Sequence, residues 1–454
     1  MTANRRLAYN FALDRALEHA RELRKSLLIL EALRCGYPWA SDRLHHFLLD
    51  GLHHNAQLCA SRGVAYYPYV EPSPGAGSGL LAALAAQAAV VITDEYPCFF
   101  LPDMLAAAAA QLTVRLEAVD SNGLLPLRAA PQAFATAYAF RRFLQKTLPA
   151  HLMESPSADP LAHALPRAAT PQDVATRWPQ ATAALLSGDP TALAALPIDH
   201  TVSPADTRGG HARAREHLDF FLKSKLSRYG EQRNEPDSDA ASGLSPYLHF
   251  GHLSVHEIFA ALARREKWEP GKLALRATGA REGWWNMTAS SEAFLDEVVT
   301  WRELGYVFCT QRPEYDRFES LPAWAQQTLK KHERDERPYL YSLAQLESAA
   351  THDELWNAAQ TQLLREGRIH NYLRMLWGKK ILEWSPTPRE ALAALIHLNN
   401  KYSLDGRDRP WGPERPIFGT IRYMSSQNTA RKLSLAGYLR KYCVAAQRPL
   451  SLLH

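Results

Sequence analysis

Arg374-Met375-Leu376-Trp377-Gly378-Lys379-Lys380-Ile381-Leu382-Glu383-Trp384 is the stretch on which the reading of this chain turns. Its period is helical and predicts a helix over 372–384. One cation, Arg374, stands among the apolar or aromatic Tyr372, Met375 and Leu376, and two indoles, Trp377 and Trp384, share the segment. A third, Trp356, precedes it, and Asn399 and Asp405 follow. Large aromatics close to charged and amide groups point to an enclosed chemical site rather than ordinary packing. Arg374 and Asp405, opposite charges in apolar surroundings, are expected to pair, structurally or functionally. An abrupt run then follows, Arg407-Asp408-Arg409-Pro410-Trp411-Gly412-Pro413-Glu414-Arg415.

Outward from this stretch the helical period continues. Helices are predicted over 212–229, 255–267, 291–309, 322–332, 353–365 and 388–402. Ser254 stands at an N-cap position, and Thr387-Pro388 puts proline at a first helical position. The 205–454 region therefore reads as an all-α domain. The first part differs. Short apolar runs at 27–30, 64–70, 90–93 and 113–119 alternate with helical patterns, the signature of an α/β domain with a parallel, Rossmann-like sheet over 1–130. On such sheets ligands bind beyond the carboxyl ends of strands, here near Glu31, Asp94, Glu95 and Asp120. The glycine-rich run 75–79 follows Pro72 and Pro74 and reads as a plain loop. The chain opens on a helix (Leu7, Phe11, Leu17, Leu23), where such domains usually open on a central strand. That strand is expected to be absent, or to lie upstream of Met1. Residues 131–204, rich in Ala, Pro, Thr and Ser from 149 onward, read as an interdomain linker with some local packing.

Composition narrows the function classes. At 454 residues the chain is long enough for two domains with real cores. Charged residues at 22% and a net charge of +5 permit a polyanionic partner without demanding one. The five cysteines are scattered, with no ligand-like spacing, so neither a disulfide framework nor a metal site is expected. Neither a signal peptide nor a spanning segment is visible; the expected setting is cytoplasmic, with no membrane partner.

Two further segments carry chemistry. Ser242-Gly243-Leu244-Ser245-Pro246-Tyr247-Leu248-His249-Phe250-Gly251 is a small-residue loop before a helix. It reads either as a capped turn or as a cradle whose amides and hydroxyls hold a phosphate. Glu297 and Trp301, four apart, share one helical face. A carboxyl beside an indole wall can stabilise charge on a stacked substrate; the alternative is a solvated Glu beside a core Trp.

Taken together, 244–251, 293–297, 351–358, 374–384, 404–408 and 421–424 resemble the class II cyclobutane pyrimidine dimer photolyases of the photolyase/cryptochrome superfamily. The resemblance covers nearly the whole chain. It implies an antenna-type α/β domain, holding a deazaflavin or folate pigment, and a helical domain holding FAD. By position, Tyr229, Ser242, Leu244, Ser245 and Leu248 would line the FAD phosphates. Asn399 would face the flavin, with Arg374 and Asp405 as the pair against its ring. Trp377 and Trp356 would relay electrons, with Trp384 beside them, and Glu297 and Trp301 would meet a flipped dimer in ultraviolet-damaged DNA. The implied activity is light-driven dimer splitting by a monomer. Two departures bear on it: Gly305-Tyr306-Val307 replaces a more polar stretch, and only Arg409-Pro410 separates Asp408 from Trp411, where the family carries a long loop with a second dimer-clamping Trp. The alternative is a photolyase-like FAD protein without dimer repair, acting as a cryptochrome-type photoreceptor or as a redox enzyme on another substrate.

Overall fold

The computed structural model describes residues 1–163, 166, 168–405 and 423–443. The chain divides into two compact units, one formed by Met1–Ser224 with Ser242–Pro313 and the other by Lys225–Ala241 with Glu314–His454.

The first unit carries the four described strands, β1 (Leu28–Leu33), β2 (Ala65–Val70), β3 (Val90–Glu95) and β4 (Arg115–Asp120). β1 pairs in parallel with β2, Leu28 opposite Ala65, and β3 with β4, Val90 opposite Arg115. Parallel partners need a crossover, and the helix Asp42–Arg62 supplies it between β1 and β2. Ser41 caps its start, and Gly63 ends it at φ 67°, a left-handed turn that glycine adopts without strain. The helix buries Leu48, Leu49 and Leu52 against Leu33 and Val70. The α/β architecture expected from the alternating runs is present.

No strand joins β1 to β3 among the described residues. The segment before the first helix (Phe11–Glu22) instead engages both strands. The Asp94 carboxylate accepts the backbone N–H groups of Thr2 at 2.7 Å, Ala3 at 2.9 Å and Asn4 at 3.2 Å. Arg5 pairs with buried Glu31 at 3.1 Å, and Glu31 also accepts from Asn55 at 2.9 Å and Tyr66 at 2.7 Å. Asp120 accepts the N–H groups of Asn122 and Leu127 at 2.9 and 2.7 Å. The strand-end carboxylates that the sequence offered as ligand groups are thus occupied by donors of the chain itself. The glycine-rich run is a loop, as expected, folded onto Glu71, which accepts from Gly75 at 2.9 Å and Gly77 at 3.3 Å.

The linker stretch contributes more packing than its composition suggested. Leu185, Leu186, Leu193 and Leu196 join the core on Leu33, Leu48 and Val70. Val174 and Trp178 pack with Tyr67, Tyr69 and Leu80. From 149 onward its α-helices, Gln172–Arg177, Ala183–Leu186 and Pro190–Ala194, are too short to display a period.

In the second unit, Glu354–Glu366, Asn371–Trp384, Pro388–Tyr402 and Ala436–Tyr442 are helices. Their shared core contains Trp356, Leu363, Leu373, Leu376, Trp377, Ile381, Trp384 and Leu398. Burying an indole contributes about 4–6 kcal/mol of transfer free energy, so the tryptophans hold this core together whatever else they do. The predicted helix over 212–229 is two helices, His211–Ser224 and Leu226–Gln232, with Lys225 between them.

Candidate functional site

Arg374 lies on Asn371–Trp384, and Ser403 and Asp405 follow the end of Pro388–Tyr402. The Arg374 Nη2 is ion-paired with Asp405 Oδ1 and donates to Ser403 Oγ at 3.1 Å. Ser403 Oγ in turn donates to Asp405 Oδ1 at 2.8 Å and accepts the Asp405 backbone N–H at 3.2 Å. The side chains are 17% and 9% exposed. The pairing expected from sequence is present. The Arg374 Nε is buried with no hydrogen-bond partner among the described residues. A buried donor left unpaired costs about 1–3 kcal/mol, a cost that a bound group carrying an acceptor removes. A flavin ring, with carbonyl and ring-nitrogen acceptors, fits that requirement. Asn399, half-buried one turn before Ser403, donates from Nδ2 to Asn400 at 3.2 Å, and its backbone carbonyl accepts the Ser403 N–H at 2.9 Å.

Three buried indoles of this unit, Trp356, Trp377 and Trp384, form a connected set. Trp356 is fully buried, and its Nε1–H donates to the Trp377 carbonyl at 3.0 Å. The Trp377 Nε1–H donates to Gln360 Oε1 at 2.8 Å. The Trp356 and Trp384 rings lie 5.5 Å apart at 70°. Trp377 and Trp384 are seven apart on one helix and share a face. Lys380 Nζ sits 5.4 Å from the Trp384 ring. The Trp356 and Trp377 N–H groups thus find acceptors inside the core, and all three rings are buried. Tyr229 is buried on Leu226–Gln232 in the same unit, with the Arg233 guanidinium 5.6 Å over its ring.

The remaining candidates lie in the first unit. Ser242 Oγ accepts the Leu244 N–H at 3.4 Å. Ser245 opens the short helix Ser245–His249, with Pro246 in its first turn, and Leu244 and Leu248 are buried. Ser242 makes a local turn onto Leu244, the helix itself has no side-chain N-cap, and the buried Tyr247 hydroxyl lacks a partner among the described residues.

Glu297 and Trp301 fall in a π-helical segment, Asp296–Trp301, set between Ala289–Leu295 and Arg302–Gln311. A single α-helix was expected; π turns inside helices commonly mark functional sites. Trp301 is 42% exposed, so it is not a core residue, and Glu297 is half-buried. Two buried anchors fix the segment. Arg141 grips Asp296 bidentately, Nε to Oδ1 at 2.8 Å and Nη2 to Oδ2 at 3.0 Å. Glu303 accepts the N–H groups of Leu124 at 2.6 Å and Leu125 at 3.2 Å. Burial pushes the Glu303 carboxyl up to about 8, against those two N–H groups and the Arg302 charge, which favour its ionised form. A side chain at Gly123 would bring a Cβ within 2.8 Å of Glu303, which explains the glycine there. Sequence reading missed Arg141, Asp296 and Glu303, whose partners lie more than 150 residues away and leave no local pattern. The Arg407, Asp408, Arg409, Pro410 and Trp411 segment lies outside the described residues.

No family model matches the chain. In three dimensions it resembles a bacterial class III photolyase from Agrobacterium tumefaciens, with a TM-score of 0.64 over 97% of this chain and 84% of that one, at 17% identity. That likeness shows the photolyase fold. In sequence it is 32% identical to a deoxyribodipyrimidine photo-lyase of Methanothermobacter thermautotrophicus, over 97% of this chain and 92% of that protein. It is also 32% identical to a deoxyribodipyrimidine photo-lyase of Oryza sativa subsp. japonica, over 97% of this chain and 86% of that protein. The chain belongs to the photolyase/cryptochrome superfamily.

Proposed function

We propose that this protein is a class II-type deoxyribodipyrimidine photo-lyase that binds FAD and splits cyclobutane pyrimidine dimers in ultraviolet-damaged DNA under light. The observation that carries the reading is the half-buried Arg374–Ser403–Asp405 cluster with its buried, orphaned Nε, in the same unit as a core of connected indoles. When bound in its reduced form, FAD supplies the light-excited electron that opens the cyclobutane ring.

The chain's own residues have separable tasks. Arg374 offers Nε–H to a ring acceptor, and Asp405 and Ser403 hold its guanidinium in place. Asn399, one turn before Ser403, is proposed to offer its side-chain amide to the flavin. Tyr229, Ser242, Leu244, Ser245 and Leu248 are the residues proposed to meet the FAD phosphates. Trp377, Trp356 and Trp384 are proposed to pass electrons inward; indole can lose an electron and spread the resulting charge, and burial keeps water from quenching it. Trp301, exposed on the π segment, offers a face on which an unstacked base can lie. Glu297, on the same segment, offers a carboxyl to a pyrimidine edge. Opposed to repair is the two-residue Arg409-Pro410 connection, which favours the second reading, a FAD protein of cryptochrome type or a redox enzyme on another substrate. A deazaflavin or folate antenna is proposed for the first unit on resemblance alone. Among the described residues no helix is long and apolar enough to cross a membrane.

The reading is tested by purifying the chain and measuring its visible spectrum and light response. Bound FAD that is photoreduced under blue light supports it; a colourless protein that takes up no FAD on reconstitution contradicts it.

A further inference from the structure

Beyond the three core indoles, the second unit carries an aromatic cluster that the proposed reading leaves unused. Trp384 is 1% exposed, so a soluble reductant does not touch it. Its ring meets Tyr341 edge-on at 5.3 Å and 74°, and His352 at 5.4 Å and 62°. The Tyr341 backbone N–H donates to the Trp384 carbonyl at 3.3 Å, which ties the two residues together. The Tyr341 hydroxyl lies 2.6 Å from His352 Nδ1. The same oxygen accepts the His352 backbone N–H at 3.0 Å. In the tautomer with the His352 proton on Nε2, the phenolic O–H donates to Nδ1. The outer face of the His352 ring is stacked on Tyr339 at 3.8 Å and 23°. Tyr339 is half-exposed and His352 is exposed. The path therefore runs from a buried indole through a phenol with a prepared proton acceptor to solvent.

We propose that the Tyr341–His352 pair is the outer terminus of the tryptophan relay and discharges it by proton-coupled electron transfer. This rests on the reading in which light withdraws an electron from Trp377, Trp356 and Trp384. Tyr341 gives one electron to the oxidised Trp384 indole and its phenolic proton to His352 Nδ1. Trp384 returns to its closed-shell form, Tyr341 becomes a neutral radical, and His352 becomes an imidazolium. A soluble one-electron reductant of the thiol or ascorbate class then returns an electron to Tyr341, and His352 returns the proton. Separating charge in this way, with the proton held beside the radical, slows recombination with the inner end of the chain. The phenol also brings the oxidising equivalent to where a reductant can collide with it.

The test is time-resolved EPR and transient absorption of the FAD-loaded protein under blue-light flashes, with ring-deuterated tyrosine to identify the radical. The expected result is an indole radical that gives way to a neutral tyrosyl radical in the parent protein. In Tyr341→Phe, which keeps the ring contact, the indole radical persists and the tyrosyl signal is lost. In His352→Gln, whose carbonyl keeps a hydrogen-bond acceptor but cannot take the proton, formation of the tyrosyl radical slows about a hundredfold, the usual scale for losing a positioned base. A merely structural His352 would be rescued by glutamine. Indole radicals that decay alike in the parent and Tyr341→Phe overturn this inference alone. The absence of any indole radical in the parent overturns the relay reading and this inference with it.

Discussion

Replacing Asp405 by alanine isolates the arginine cluster. In the parent the carboxylate takes both the Arg374 charge and the Ser403 hydroxyl proton. Asp405→Ala leaves the guanidinium with Ser403 Oγ alone, while its Nε is already unpartnered among the described residues. Removing one member of a fully buried ion pair costs about 3–5 kcal/mol. With Arg374 17% exposed, water reaches part of the guanidinium, and the cost falls to roughly 2–3 kcal/mol. That corresponds to about 30- to 140-fold in an equilibrium constant. The flavin-free protein should lose this amount in urea unfolding, with an unchanged slope and a lower midpoint. FAD affinity, measured by equilibrium dialysis under conditions where the variant stays folded, should fall as well, because the guanidinium is no longer held in position. A double-mutant cycle with Arg374→Met separates the pair's coupling from the loss of either group. If Asp405→Ala unfolds within about 0.5 kcal/mol of the parent and binds FAD as tightly, the cluster is a surface pair without a role and the reasoning fails.

Three other outcomes are expected. Trp301→Ala should weaken binding of dimer-containing DNA by about 1–3 kcal/mol, the range for losing one base–aromatic stack, with little change for undamaged DNA in a fluorescence titration; equal losses for both would remove Trp301 from lesion recognition. Trp377→Phe should abolish blue-light photoreduction while leaving FAD bound, as read from the visible spectrum during illumination. Glu303 has a folded-state value near 8, above the ordinary carboxylate range, so the folded chain holds a proton that the unfolded chain releases. Its stabilising contribution is full below the unfolded value and is lost as pH rises through about 8, at up to ~1.4 kcal/mol per pH unit. Urea midpoints followed from pH 5 to 9 should show that decline in the parent and a flatter curve in Glu303→Gln.

The sequence made the broad architecture legible because two periods differ so plainly. Apolar runs such as Val90-Val91-Ile92 stood out as strands beside long helical patterns, although this strand is half-buried rather than buried, and 388–402 carried its own cap in Thr387-Pro388. The Arg374–Asp405 pairing was readable because a lone cation and a lone carboxylate in apolar surroundings leave each other as the obvious partner. What sequence missed depends on distant contacts. Asp94 and Glu31 looked like ligand groups at strand ends, but the backbone of Thr2–Asn4 and Arg5 reach them first. The π segment carries no sequence mark of its own; it coincides with the buried grips of Arg141 on Asp296 and of Glu303 on the 124–125 amides. Tyr341 and His352 meet at the outer side of Trp384 through tertiary packing, which spacing alone does not reveal.

The most direct test of the proposed function is light-dependent repair of cyclobutane dimers in ultraviolet-treated oligothymidylate by the FAD-loaded protein, followed by recovery of thymine absorbance. The account predicts recovery under blue or near-ultraviolet light, none in the dark, and a marked loss of rate in Glu297→Ala. A protein that binds FAD and is photoreduced, yet restores no thymine absorbance under light, would contradict the repair reading and leave the photoreceptor or redox alternative in its place.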